Sequence, residues 1–73
     1  MGTKNNPGEF DCYANAEPDE PMFVLLARDP AAPDTVRAWV ERRSACGKSD
    51  GPTDTEAFAC AEAMEAWREA NRG

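Results

Sequence analysis

An all-α fold is what three features of this 73-residue chain predict. Ala32, Val36, Trp39 and Val40 recur at helical spacing and make one apolar stripe. Thr53-Asp54-Thr55-Glu56 reads as a capping box, with Thr53 at N-cap and Glu56 at N3, ahead of a second periodic face of Ala57, Cys60, Met64 and Trp67. The remaining apolar run, Met22 to Ala27, has no candidate partner strand, so a strand there would leave its backbone groups without a ladder. The expected architecture is a small three-helix domain. It has a short buried helix over about residues 20–28, a helix over about 31–46 and a helix over about 54–71, with an extended N-terminal strap.

Taken in order, residues 1–9 are polar and turn-rich and read as a flexible arm, leaving 10–73 as a single helical domain. Phe10, Cys12 and Tyr13 put three buriable side chains close together. Extended alternation lays Phe10 and Cys12 on one face of a strap packed across the helices. Pro21 suits a first helical turn, and Asp19 and Glu20 suit the positive end of its dipole. Asp29 precedes Pro30 and is pushed out of the αR region, which ends this element near Arg28.

Asp29 and Pro30 can serve the next helix as N-cap and N1, while Pro33 must lie in its first turn if it is not to split it. Arg37 and Glu41 are spaced as an i,i+4 pair. Arg42 and Arg43 suit the helix C-terminus, and Gly47 is a good stop before the loop from Lys48 to Pro52. In the last helix the apolar face is widened by Ala59, Ala63, Ala66 and Ala70, small residues that let another helix approach closely. Glu62, Glu65 and Glu69 share a different sector, and at 100° per residue Phe58 falls inside it. Phe58 is therefore either covered by the strap, which is the expectation, or an exposed contact residue.

The chain is acidic, with a net charge of −6 and no histidine. That disfavours direct nucleic-acid binding and anionic membrane surfaces, and leaves solubility or basic protein partners. Neither an apolar stretch near the start nor a run of membrane-spanning length is visible, so a cytoplasmic location with reduced thiols is expected. A chain this small buries a modest share of its surface, and its few large apolar side chains cannot by themselves offset the entropy of ordering. Self-association or binding to a larger protein is therefore expected.

Chemical motifs fail one by one. Gly47-Lys48-Ser49 resembles the end of a phosphate-binding loop, but Arg42 stands where the motif needs glycine and a helix, not a strand, precedes it. Cys12, Cys46 and Cys60 are widely scattered without histidine, which fits neither a structural zinc site nor an activated nucleophile. The carboxylate rows lack a desolvated cleft in which acid/base work could be done. No catalytic residue, cofactor or metal is expected.

The residues Cys12-Tyr13, Asp19-Glu20-Pro21-Met22-Phe23-Val24-Leu25-Leu26-Ala27-Arg28-Asp29-Pro30, and then Ala32, Val36, Trp39 and Arg42 resemble small proteins encoded by tailed bacteriophages and prophages. The resemblance covers roughly residues 11–43 and carries no assigned activity. It implies a phage origin, a bacterial host cytoplasm and an accessory role. The functional expectation is a non-enzymatic accessory protein that binds or inhibits a host or phage protein, with Phe58, Glu62, Glu65 and Glu69 as candidate contact residues. The alternatives are a small assembly protein that self-associates through the alanine-rich helix face, and an acidic mimic of DNA.

Overall fold

Two long helices and one short one carry the fold. The computed structural model describes residues 1–72, in which α1 spans Cys12–Asn15, α2 Ala32–Ala45 and α3 Gly51–Ala70. Among the described residues there is no strand, and no helix is long and apolar enough to cross a membrane. The all-α, three-helix expectation holds in class, with one element misplaced.

The second helix begins with Ala32 and Pro33 in its first turn, where proline costs no hydrogen bond, so Pro33 does not split it. Asp29 is not its N-cap. Its carboxylate instead accepts from the N–H of Ala31 at 2.9 Å, and its carbonyl accepts from Ala32 at 3.0 Å, a turn that delivers the chain into the helix. At the other end Gly47 has φ +73°, the Lys48 N–H donates to the Arg43 carbonyl at 2.8 Å and the Gly47 N–H to Ser44 at 3.1 Å. That pair of bonds is a Schellman motif, and Gly47 is the residue whose missing Cβ allows the left-handed turn.

The third helix starts earlier than the capping box suggested. Asp50 is the N-cap, its carboxylate accepting from the Thr53 N–H and hydroxyl, with Gly51 and Pro52 opening the first turn. An aspartate followed by Gly-Pro competes well with a threonine three residues on, because proline is favoured just inside a helix start. Glu56, released from the box, does something else. Its two carboxylate oxygens accept from the N–H groups of Glu9 and Phe10, each at 3.0 Å, and tie the N-terminal segment to α3.

Ion pairs set the register of the two long helices. Arg37 meets Glu65 and Arg43 meets Asp54, so numbers rise along α2 as they fall along α3 and the pair is an antiparallel hairpin. Between them lie Ala32, Val40, Ala57, Ala61 and Met64. The three alanines are wholly inaccessible to solvent, which places backbone close to backbone at the helix crossing. Ala61 was not legible as a core position, because the periodic face of Ala57, Cys60, Met64 and Trp67 passes to one side of it. Trp67 itself is half exposed, and among the described residues no large side chain is fully buried.

The short buried helix over 20–28 is not there. Residues 20–26 have no regular secondary structure, and Phe23 is 84% exposed. The reason lies in length and surroundings. Pro21 at one end and Asp29-Pro30 at the other leave about two turns of free chain, too short to be helical without a surface to pack on. A run apolar on every side would need cover on every side, which a two-helix hairpin cannot supply. The one-turn α1 forms instead where Asp11 caps it, its carboxylate accepting from Ala14 at 3.3 Å. Cys12 and Tyr13 are consequently exposed and the expected strap face is reduced to Phe10, which is half buried.

Candidate functional site

The four residues singled out from the sequence do share one sector of α3, but they do not form a free acidic surface. Phe58 is 44% exposed. The N-terminal segment is anchored at Glu56, and two residues along a helix turn the direction by about 200°, away from Phe58. Glu62 is exposed and makes no ion pair among the described residues. Glu65 is gripped by the Arg37 guanidinium through two bonds of 2.6 and 3.0 Å, and Glu69 pairs with Arg72 at 2.9 Å. The bidentate bond from Arg37, above all, holds the Glu65 carboxyl below the usual carboxylate range, and Glu65 raises the guanidinium of Arg37 in return.

Arg37 makes that bond instead of the expected pair with Glu41; its second partner is Asp34, at 3.5 Å. The signal was available in the sequence. Arg37 borders the Val36–Val40 stripe of α2, so its long side chain can reach across the crossing while Glu41 lies farther from the partner helix. At the hairpin end Arg43 lies over the Trp39 ring, 4.8 Å from its centroid, and 3.8 Å from the Asp54 carboxylate. This arginine thus ties both helices to the loop, whose Ser49 hydroxyl also bonds Asp54 at 2.9 Å.

The residues that sequence reasoning missed as a surface are those of the apolar run. Met22, Phe23, Val24 and Leu26 are all at least half exposed, and Tyr13 is 79% exposed. The N–H groups of Met22 to Leu25 make no backbone hydrogen bond within the described chain. Four exposed side chains out of five consecutive large apolar residues are a rare thing to leave in water, since exposed contiguous apolar patches mark contact sites. Only Leu25 turns inward. With Leu26, Ala27 and Arg28 it overlies α3 at Cys60, Ala63, Met64 and Trp67, and Gly2, Thr3 and Lys4 close the far side of a groove of about 310 Å³. The groove is apolar along α3 and rimmed by the cations Lys4 and Arg28.

Among the described residues no three cysteine, aspartate or glutamate side chains converge as a metal set. The three cysteines are unpaired; Cys12 and Cys46 are exposed and Cys60 half buried at the groove. What this surface can do chemically is desolvate: it offers apolar area, open backbone groups and a few unpaired charges. Comparison with protein-family models, with curated proteins and with solved structures gives no match.

Proposed function

We propose that the protein is a non-enzymatic interaction domain that binds another protein chain through the Met22–Leu26 run. The observation that carries this reading is the exposure of the run, which holds the densest apolar sequence in the chain yet leaves it outside the hairpin core. Burying such side chains against a partner contributes about 25 cal/mol per Å² of apolar area removed from water. The flanking prolines restrict the free chain, so ordering it on a partner costs less entropy than for an unrestrained loop. The resemblance expected for residues 11–43 supports taking that partner to be a host or phage protein. The acidic-sector reading weakens, because Glu65 and Glu69 already have cationic partners within the chain.

A photoreactive phenylalanine analogue at position 23, installed in the chain expressed in a bacterial host, tests the reading. A discrete crosslinked protein species is expected from Phe23, with none from the same label at Phe58. A crosslink from Phe58 alone would return the contact to the acidic sector of α3.

A further inference from the structure

The exposed run and the basic-rimmed groove are two halves of one contact. We infer that the exposed Met22–Val24 part of the run of one copy docks on the groove, which Leu25 and Leu26 of the second copy themselves line, and on the adjoining alanine face of its α3, and reciprocally, closing a two-fold dimer. The inference rests on the reading that the run is the contact element, and names its occupant.

Area is the first argument. The chain exposes 5843 Å², roughly 1,400 Å² more than the surface expected of a compact monomer of its 8.0 kDa mass. Covering that excess on both copies would bury about 2,800 Å² in total, within the range of obligate homodimers and above that of most transient contacts.

Charge is the second. Glu17, Asp19 and Glu20 lead into the run, and none pairs with a cation among the described residues. Lys4 and Arg28 line the groove, and Arg28, Arg68 and Arg72 line the adjoining cleft beside Trp67 together with Glu65 and Glu69. Those two carboxylates already pair with Arg37 and Arg72, which leaves Lys4, Arg28 and Arg68 without a carboxylate partner there. Unpaired acids precede the apolar run, and unpaired bases rim the apolar groove. A chain that carries both halves is self-complementary, as a two-fold interface requires.

Continuity is the third. Ala63 belongs both to the groove and to the exposed row of Ala59, Ala63, Ala66 and Ala70, so a docked run meets a flat, uncharged track beyond the groove. Small side chains there let a backbone approach closely, and Trp67 stands as a wall beside it.

Light scattering on the purified chain between about 1 µM and 1 mM, coupled to size separation, tests this. A species of twice the 8.0 kDa chain mass is expected. Phe23→Glu should weaken the dimer at least about 100-fold while circular dichroism stays helical, since Phe23 is exposed and lies outside the helices. Glu20→Lys should weaken it about 10-fold, and adding Arg28→Glu should restore most of the loss. A monomer at every concentration, or a dimer indifferent to Phe23→Glu, would overturn the inference. A monomer whose position 23 still crosslinks a different protein would overturn it and leave the proposed function standing. Failure to crosslink any protein, own chain included, would remove both.

Discussion

Arg37 and Glu65 show how much a single reach across the crossing decides. Their bidentate bond is exposed, so its strength depends on pH and salt more than a buried pair would. Because the folded state holds Glu65 below its ordinary value of 4.5, the pair stabilises the fold above that pH and the contribution is lost as pH falls through the depressed value. Urea midpoints should therefore differ between the wild type and Glu65→Gln at pH 7 and converge in acid; a gap that persists at the lowest pH would show that Glu65 acts through packing. Glu56 is the other residue with consequences beyond its own turn. Its carboxylate holds the Glu9 and Phe10 N–H groups, and Glu56→Ala should cost about 1–3 kcal/mol. Hydrogen exchange at those two amides should rise sharply while α2 and α3 keep their protection. Unchanged exchange would mean the segment is held by other contacts.

At the scale of elements, the hairpin rests on alanines. Ala32, Ala57 and Ala61 are closed to solvent where α2 crosses α3, so an added side chain has no room. Ala61→Leu should destabilise by about 1–3 kcal/mol by forcing the helices apart. The same substitution at Ala38, an exposed position of α2, should shift thermal stability little. Equal effects at the two sites would contradict the crossing. The run over 20–26 behaves oppositely. In dilute solution Phe23→Ala should change stability by less than about 0.5 kcal/mol, as is usual away from packed sites, while weakening the proposed contact with a partner. Chemical denaturation alongside a binding or sedimentation measurement separates the two effects.

For the whole molecule, the extents of 39 × 28 × 19 Å describe an open plate and not a sphere. A two-layer plate of helices has a core only where the two elements touch, and the remaining faces must be polar or be covered. Here the uncovered faces carry Trp39, Phe58, Trp67 and the run. Stability should therefore depend on protein concentration, the melting temperature rising as the chain is concentrated and the proposed dimer fills. A melting temperature constant over a 100-fold range would place all of the stability in the isolated hairpin.

The sequence by itself determined what local chemistry determines. Periodicity and composition placed α2 and α3 to within a few residues, Gly47 stopped α2 through its left-handed φ, and Pro33 fell in a first turn where it is harmless. The candidate surface was legible only as a string of apolar residues, because an unbroken run has no periodicity to tell inside from outside. The Asp50 cap and the reach of Arg37 lay in local sequence, in Gly51-Pro52 and in a place beside the apolar stripe of α2. Only the tertiary structure decided that Glu56 holds the N-terminal segment, that Glu65 is the carboxylate Arg37 meets, and that Ala61 rather than Trp67 enters the core. It also left Met22–Leu26 outside. Whether an apolar run is buried depends on how much surface the rest of the chain can offer it, and an antiparallel pair of helices offers one side of a groove.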